Sequence, residues 1–320
     1  MIRKLILAAL LPVPSVISCF AQLNWKKMDT AFGPLPSSMH IYSTTDSLDG
    51  KPFVSYYVSV KLRDKNLSFT AQTGKDKRYT PSEYYLQEDR PLLVVNCAFF
   101  SYETNQNLSL IMKDGKLIAY NIVSLKGIGK DSADYYYPTR SAIGINKSRK
   151  ASVAWIFTDS VHARPYAFEK SPVIAKGRAR VPSIITLGQV DWKWWKMQTA
   201  VGGGPGLIHD GRIWISSREE QMFVGQEKER HPRTAMGITH KGRLIILVIQ
   251  GRFPGVAEGA TLEQEAVILK KIGCYRALNL DGGGSSCMLV NGKETIKPSD
   301  KEGQRPLAAV FMVRQTGSGF

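Results

Sequence analysis

Cysteine and histidine are scarce in this sequence, with four cysteines and five histidines among 320 residues. No C-x-x-C pair occurs and the histidines are scattered, so no zinc-ligand spacing is present. Beyond Cys19, only Cys97, Cys274 and Cys287 remain, and three thiols allow at most one disulfide within the chain. The sequence therefore excludes a disulfide-stapled scaffold and a zinc domain of familiar spacing.

Long apolar runs are missing too, apart from a short one near the N-terminus. Arg3 and Lys4 precede the apolar residues 5–13, a run too short to span a bilayer but typical of a signal peptide. We predict a signal peptide over residues 1–21, which ends at an A-x-A-like site or carries a lipobox ending at Cys19. The protein is then exported, to the periplasm or the outer membrane or surface of a bacterium, and the lipobox adds a lipid anchor.

Acidic residues are the minority, because 27 Asp and Glu face 43 Lys and Arg, which gives a formal net charge of +16. Such an excess favours anionic partners through long-range attraction, although a solvated basic surface gives the same count. The net positive charge is the one feature of the sequence that fits a nucleic-acid partner. Predicted export and the lack of a nucleic-acid-binding motif argue against it, so the predicted partner is a phosphorylated or otherwise anionic glycan.

Short β-type runs are what the sequence has in abundance. Each run is rich in β-branched, aromatic or aliphatic residues and is bounded by turn formers. The predicted strands are residues 53–62, 92–97, 108–112, 141–145, 152–157, 234–239, 244–250, 277–280 and 307–313. This pattern predicts an α+β fold with a mixed, mostly antiparallel sheet core and a few flanking helices.

Helical signals are fewer, and the clearest covers residues 261–272. Thr261 is a suitable N-cap, and Gly273 is a suitable stop. Because this helix lies between two predicted strands, it suits a crossover that returns the second strand to the same sheet. A second helix is predicted over residues 187–197, and its tryptophans either stack on sugars or pack in the core.

A recurrent unit indicates an internal duplication. In it a strand leads into a turn of small residues, and a second strand then ends in an Asp-Gly or Asn-Gly hairpin turn. The turns of small residues are 96–99, 202–205 and 281–284, and residues 138–145 also echo residues 232–238. No low-complexity linker divides the chain. We therefore predict an N-terminal β-rich segment, residues 22–90, packed on a catalytic domain of residues 91–320.

The turn after residue 280 carries three successive glycines between Asp281 and two serines. Glycine runs are costly to order and suit places where the backbone must approach a ligand. Successive amides in such a turn can bind an anion, and serine hydroxyls add donors. A strand follows the glycines instead of a helix, which excludes a Walker loop and a dinucleotide fingerprint. A tight corner without a ligand is the structural alternative.

Several ordered motifs resemble the phosphodiester glycosidase family. They are residues 232–238, 251–252, 261–263, 277–286 and 305–306, with residues 96–100 and 202–205 upstream. The family often reads N-G-G-F-F at the first upstream motif, whereas this chain has Cys97 and Ala98 in place of the two glycines. That departure predicts a different approach of the substrate there. The resemblance implies a hydrolase that cleaves the bond between a sugar C1 and a phosphodiester oxygen.

Glycoside cleavage normally uses two carboxylates. Asp281 is the first choice, as nucleophile, base or electrostatic stabiliser, and Glu263 is the second. Their structural alternatives are a turn-forming aspartate and a helix-capping glutamate. The residues predicted to bind phosphate or sugar are Asn96, Gly203, Gly204, Arg233, Arg252, Asn279, Gly282, Gly283, Gly284, Ser285, Ser286 and Arg305. No resident metal is specified, although a divalent cation between Asp281 and a phosphate is compatible with hard oxygen ligands.

A non-catalytic binding module for anionic glycans is the alternative function. It would use the same glycine-rich loop together with the tryptophans around Trp192. Replacing Asp281 by Asn separates the two hypotheses, because a binder keeps its affinity whereas an enzyme loses turnover.

Overall fold

The computed structural model describes residues 23–127, 129–168, 174–177 and 192–316. The predicted signal peptide and Cys19 therefore lie outside the described residues, as does most of residues 170–180, a weak cluster of basic side chains. Within the described ranges, no helix is both long and apolar enough to cross a membrane.

The described part of the chain folds almost entirely into short β-strands. In chain order they are β1 (Lys26–Lys27), β2 (Met39–Thr44), β3 (Ser47–Leu48), β4 (Lys51–Pro52), β5 (Ser55–Lys61), β6 (Leu67–Thr73), β7 (Leu93–Asn96), β8 (Ile111–Lys113), β9 (Lys116–Ala119), β10 (Leu125–Lys126), β11 (Tyr135–Pro138), β12 (Arg140–Ile145), β13 (Ala151–Asp159), β14 (Arg164–Phe168), β15 (Ile174–Gly177), β16 (Lys193–Trp194), β17 (Thr199–Gly202), β18 (Gly206–His209), β19 (Arg212–Ile213), β20 (Arg233–Thr239), β21 (Arg243–Ile249), β22 (Cys274–Asn279), β23 (Met288–Val290), β24 (Lys293–Glu294) and β25 (Ala309–Gln315). The α-helices are α1 (Pro81–Gln87), α2 (Ser217–Glu220) and α3 (Leu262–Ile272), and short 3-10 helices span Asp29–Phe32, Gly129–Asp131 and Gly283–Ser285.

Three large sheets build the fold. The eight-stranded sheet has the order β1-β2-β5-β21-β20-β22-β18-β19, the seven-stranded sheet β16-β14-β13-β12-β17-β8-β9, and the five-stranded sheet β24-β23-β7-β25-β6. Neighbouring strands in these sheets run antiparallel, for example β20 with β21 and β12 with β13. The predicted antiparallel, β-dominated fold is confirmed, while the internal duplication stays a prediction.

One hydrophobic core joins the three sheets. Its fully buried members include Val58 and Ile246 from the eight-stranded sheet and Val95 from the five-stranded sheet, and they pack with Ile143 of the seven-stranded sheet. Burying apolar surface from all three sheets in one cluster fixes their relative positions. The strand ends of different sheets consequently meet at defined places.

Helix α3 has the predicted position and ends. The Thr261 hydroxyl accepts a hydrogen bond from the Gln264 amide at 3.1 Å, and the Gln264 side-chain oxygen accepts one from the Thr261 amide at 2.9 Å. Gly273 closes the helix in a left-handed conformation, with φ of 107°. α3 connects β21 to β22, which flank β20 on its two sides, so the predicted crossover is present.

The N-terminal segment differs from expectation. β5 lies between β2 and β21 in the eight-stranded sheet, and β6 pairs with the C-terminal strand β25. Strands from before residue 91 are thus integral to the sheets of the predicted catalytic domain and do not form a separate layer on it.

The second predicted helix is not found in the part of it that the structure describes. Lys193–Trp194 forms β16, which pairs with β14 at the edge of the seven-stranded sheet. Residues 187–191 lie outside the described ranges. Trp195 is buried, whereas the exposed Trp194 ring lies 4.7 Å from the guanidinium carbon of Arg164 and 4.4 Å from the ammonium nitrogen of Lys196. Edge pairing and these cation–π contacts outweigh the helical pattern.

Candidate active site

The end of β22 opens into a cavity of about 530 Å³. Its wall is formed by Phe99, Phe100, Tyr102, Leu108, Ser109, Ile122, Leu125, Arg140, Gln221, Met222, Phe223, His231, Arg233, Arg252, Asn279, Asp281, Gly282, Gly283, Ser285 and Arg305. Eight of the residues predicted from the sequence are in this wall: Arg233, Arg252, Asn279, Asp281, Gly282, Gly283, Ser285 and Arg305. The structure therefore brings most of the predicted site together.

Asp281 is held by the strand β7 and the residue after it. Its amide donates to the Cys97 carbonyl oxygen at 2.9 Å, and its carbonyl oxygen accepts from the Asn96 side-chain amide at 2.5 Å. Burial raises the pKa of the Asp281 carboxyl to about 7, although the Ser285 hydroxyl, the Arg305 charge and the Gly282 amide all act to lower it. A carboxyl group with such a pKa exchanges a proton near neutral pH.

Three of the loop amides already donate hydrogen bonds within the protein, which limits the anion binding expected from the glycine run. The Gly283 amide donates to the Pro232 carbonyl oxygen at 2.9 Å, and the Ser285 amide donates to the Gly282 carbonyl oxygen at 3.1 Å. The Ser286 amide donates to the Gly283 carbonyl oxygen at 3.2 Å. The last two of these bonds belong to the 3-10 turn, so the amides of Gly283, Ser285 and Ser286 already have acceptors.

The glycines allow arginine side chains to pack closely against the loop. A Cβ atom on Gly283, whose φ is +61°, would lie 3.0 Å from Nη2 of Arg252. A Cβ atom on Gly284 would lie 2.1 Å from Nη2 of Arg305. Two guanidinium groups can therefore lie directly against the loop only because these residues have no side chain.

Arg305 links the loop to its surroundings. Its Nε donates to Oδ2 of Asp300 at 2.6 Å, and its Nη1 donates to the Ser285 hydroxyl oxygen at 3.3 Å. Arg252, in contrast, is exposed beside Gly283. Arg252 is thus the more available of these two cations for an incoming phosphate.

Arg233 lines the cavity but is largely committed to the main chain. Its Nε donates to the Ala260 carbonyl oxygen at 3.0 Å, and its Nη2 donates to the Glu229 carbonyl oxygen at 2.9 Å. The residue is only 3% exposed. Glu265 of α3 lies close to Arg233 and is fully buried, and burial raises the pKa of its carboxyl to about 8, so this group is mostly protonated at neutral pH.

The two predicted asparagines have different roles. Asn96 is fully buried, and its side-chain oxygen accepts from the Thr234 hydroxyl at 2.8 Å and the Cys287 amide at 3.1 Å. With its amide on Asp281, Asn96 is an internal brace and has no free group for a sugar. The Asn279 amide donates to the Gly204 carbonyl oxygen at 2.8 Å, but its Oδ1 has no partner among the described residues and is available to a ligand hydroxyl.

Glu263 does not join the site. It is an exposed residue in the first turn of α3 and is absent from the cavity wall. The capping box predicted as its structural alternative is formed by Gln264, and Glu263 is an acidic residue of the first helical turn. Of the described residues in the wall, Asp281 is the one carboxylate.

Three further predicted residues support the wall from outside it. A Cβ atom on Gly203 would lie 2.4 Å from the Asn279 carbonyl oxygen, and one on Gly204 would lie 2.4 Å from Oε2 of Glu220. Ser286 is buried, and its hydroxyl oxygen accepts from the Thr234 hydroxyl at 3.3 Å. These residues allow close packing around the loop and do not face the cavity.

His231 belongs to the wall although the sequence named no partner for it. Its Nε2 lies 3.0 Å from Oε2 of Glu229, two residues earlier in the chain. The nearby Glu229 was the feature of the sequence that could have identified His231 as a site residue. Another histidine, His209, packs against Trp155 and Trp214 and is not in the cavity wall.

An aromatic wall was also missed. Phe99 lies near Phe223, with ring centroids 5.9 Å apart, and the exposed Tyr102 ring lies between 5 and 6 Å from the guanidinium carbons of Arg78 and Arg305. Such rings can pack against the apolar face of a sugar. The upstream motif of residues 96–100 was the signal for this wall, whereas the tryptophans around Trp192 do not line the cavity.

Cys97 and Ala98 point to the main hydrophobic core and do not line the cavity. At the positions of the family's double glycine, this chain therefore contributes two side chains to the core, and a different approach of the substrate there stays a prediction. Cys97, Cys274 and Cys287 are buried and free. Within the described ranges no group of three or more His, Cys, Asp or Glu side chains could hold a metal ion. A cation bound between Asp281 and a phosphate stays a prediction.

The fold and the cavity define an antiparallel β protein with one titrating carboxylate among cationic side chains. Residues 166–314 match the sequence model of the phosphodiester glycosidase family. The N-acetylglucosamine-1-phosphodiester alpha-N-acetylglucosaminidase of Bos taurus is 40% identical over 105 residues, which cover 29% of this chain and 19% of the bovine protein. The predicted resemblance to the phosphodiester glycosidase family is confirmed over this stretch, and the bovine relative is by its name a glycosidase.

Solved structures show the same fold. The catalytic domain of the zebrafish N-acetylglucosamine-1-phosphodiester alpha-N-acetylglucosaminidase has a TM-score of 0.58 at 20% identity, covering 87% of this chain and 82% of that one. A protein of Burkholderia pseudomallei has a TM-score of 0.60 at 14% identity, covering 85% of this chain and 75% of that one. The structural similarity therefore extends well beyond the stretch matched in sequence.

Proposed function

We propose that this protein is an exported hydrolase that cleaves the bond between the anomeric carbon of a sugar and a phosphodiester oxygen. The observation that carries the proposal is the Asp281 carboxyl, with a pKa of about 7, in a cavity that four arginines also line. Asp281 lies inside the family-matched residues 166–314. The bovine relative, by its name, acts on N-acetylglucosamine-1-phosphodiesters, and we assign the same class of bond to this chain.

The cations provide recognition of the phosphodiester. A guanidinium group presents a planar set of donors that matches phosphate oxygens. Arg252 is exposed next to the loop, and Arg305 is held against it by Asp300. We assign the phosphodiester to this side of the cavity, and the sugar to the aromatic wall with Asn279 Oδ1 as a hydroxyl acceptor.

Asp281 acts on the anomeric carbon. In the proposed reaction the C1–O bond breaks and its electron pair stays on the phosphate oxygen, while the oxygen of water bonds to C1. Positive charge develops at C1 in the transition state, and an ionised carboxylate stabilises it. The departing phosphate monoester is a stable anion, with a second pKa of about 6, so the demand for a strong general acid is small.

His231 is the group that we assign to proton transfer with water. The Glu229 carboxylate contacts one ring nitrogen and fixes the orientation of the ring. The other ring nitrogen then accepts the proton that water loses as its oxygen bonds to C1. This assignment replaces Glu263 as the second functional group.

The test is hydrolysis of a panel of sugar-1-phosphodiesters, with released reducing sugar measured for the wild type and Asp281→Asn. We expect release by the wild type and loss of turnover in the variant, with substrate binding kept. Asp114→Asn is the matched control, because Asp114 lies exposed in the β8–β9 hairpin turn. Binding of panel members without any cleavage would favour the glycan-binding module instead.

We further propose that the substrate is a phosphorylated glycan of a bacterial envelope. The support is the predicted signal peptide and the net charge of +16. Fractionation of cells that express the full chain tests this, and Cys19→Ala should move the protein from the membrane fraction to the soluble exported fraction. Recovery of the wild-type protein in the cytoplasm would contradict the proposal.

A further inference from the structure

Arg140 is a cation of the cavity wall that the sequence motifs did not select. It begins β12, on the seven-stranded sheet, and is only 6% exposed. Arginine is charged at all physiological pH values, so burial of its guanidinium group is costly unless a partner compensates.

The described residues supply no hydrogen-bond partner for much of this group. Neither Nε nor Nη1 of Arg140 has an acceptor among them. Arg233, which is equally buried at the start of β20, has main-chain acceptors for both Nε and Nη2. Arg140 therefore retains donor capacity that Arg233 has already used.

Glu220 is the negative charge that acts on Arg140, but its oxygens are occupied. Oε2 accepts from the Ser141 amide at 2.8 Å. Oε1 accepts from the Gly206 amide at 2.8 Å, the Trp155 indole nitrogen at 3.0 Å and the Ser216 hydroxyl at 2.5 Å. The carboxylate thus attracts Arg140 electrostatically without satisfying its donors.

We propose that Arg140 is a phosphate-binding residue, whose free guanidinium donors bind oxygens of the substrate phosphodiester from the part of the cavity wall at the start of β12. The inference rests on the proposed function and adds a ligand contact to it. It also explains why a buried, poorly satisfied cation is kept in the wall: the substrate anion completes its hydrogen bonding, and the free protein carries the cost.

Inorganic phosphate is the first probe, with binding measured by calorimetry and by the rise of Tm for the full chain. We expect Arg140→Met to weaken phosphate binding by about 10- to 100-fold. Without phosphate, the Tm of Arg140→Met should equal or exceed that of the wild type, because methionine removes an unsatisfied buried charge. Arg140→Lys should retain part of the binding through its charge.

Arg212→Met is the matched control, because Arg212 is an exposed residue of β19. It removes the same charge and should leave phosphate affinity unchanged. Equal affinities in the wild type and Arg140→Met would overturn the proposal. A lower Tm of Arg140→Met without phosphate would also overturn it, because a structural arginine gives that result. Dependence on Arg140 for glucuronate but not for phosphate would overturn the choice of phosphate as ligand.

Cleavage assays separate this inference from the proposed function. If the wild type cleaves a sugar-1-phosphodiester and Arg140→Met has the same kcat/KM, the inference fails while the proposed function stands. If no diester is cleaved but phosphate binding still depends on Arg140, the residue is an anion-binding group and only the proposed reaction fails.

Discussion

Arg233 and Arg140 occupy similar places on two sides of the same cavity. Each is the first residue of its strand, β20 or β12, and each is buried in the cavity wall with a buried glutamate nearby. Arg233 donates to two main-chain carbonyl oxygens, whereas Nε and Nη1 of Arg140 have no acceptor among the described residues. The eight-stranded side is therefore tied together internally, and the seven-stranded side is left with capacity for a ligand.

This difference shows that similar sequence does not give similar roles. The echo between residues 138–145 and 232–238 contains both arginines, and the structure places both in the cavity wall, yet the residues around them come from unrelated segments. Ala260 and Glu229 supply the acceptors of Arg233, while Glu220 is occupied by other donors. Stability and binding are thus divided between the two walls.

The largest expected effect is the loss of turnover when Asp281 is replaced, which should leave anion binding by the arginines in place. Asp281→Asn should lower kcat by about 1,000-fold or more while phosphate still binds through Arg140 and Arg252. Since the reaction needs ionised Asp281, wild-type kcat/KM should rise with pH up to about 7, the pKa of this carboxyl, and then level off. A pH–rate profile checks this. A rate that falls as pH rises toward 7 would assign Asp281 as a general acid instead.

The next effect is on stability. Arg233→Met should lower the free energy of unfolding by about 3 kcal/mol, because it leaves the buried carbonyl groups of Ala260 and Glu229 without their donor. Arg140→Met should produce no such loss. Denaturant titration of both variants measures the difference, and equal destabilisation would remove the distinction between the walls.

His231→Asn should lower kcat by about 100-fold and change phosphate affinity little. The ring is assigned to proton transfer, whereas the arginines bind the anion. Steady-state kinetics with calorimetry on the same variant gives both quantities, and Glu229→Gln should show a smaller loss of kcat. A change confined to KM would place His231 in binding.

The smallest expected effect concerns the protonation of Glu265, the buried carboxyl group near Arg233. Burial raises the pKa of Glu265 from 4.5 to about 8, so the folded protein holds this proton longer than the unfolded chain. The corresponding stability is complete below pH 4.5 and is lost as pH rises through about 8. Glu265→Gln should thus be more stable than the wild type by about 1 to 2 kcal/mol at pH 9, but not at pH 4. Thermal unfolding at the two pH values checks this.

Much of the fold was predictable because strands and helix ends have local signals. Each predicted strand overlaps an observed one, and Thr261 and Gly273 bound α3 as expected. β2 and β6 were missed. The N-terminal segment joins the sheets through β5, which pairs with β21, and through β6, which pairs with β25. These partners lie far away in the sequence, so local composition gave no indication of this arrangement.

The sequence predicted which residues lie at the site better than it predicted what each of them does there. The motifs predict that Asp281 and its neighbours lie at the site. Which acceptor each hydrogen-bond donor contacts depends on residues that are distant in the sequence. The Gly283 amide meets the carbonyl oxygen of Pro232, and the Asp281 amide meets that of Cys97. The spacing of residues in the sequence does not reveal such bonds. The sequence therefore predicts anion binding by the loop amides, whereas in the structure the arginine side chains are the groups available to bind an anion.

The position of β25 has a practical consequence for shortened versions of this protein. β25 is the last strand of the chain, yet it lies between β7 and β6, both of which precede residue 100. A fragment cut to residues 166–314 would keep β25 and lose both of its neighbours, leaving two bare strand edges open to aggregation. The limits of family similarity are therefore unsuitable as limits for expression, and a C-terminal truncation into β25 would remove the strand that joins β6 to β7 in the five-stranded sheet.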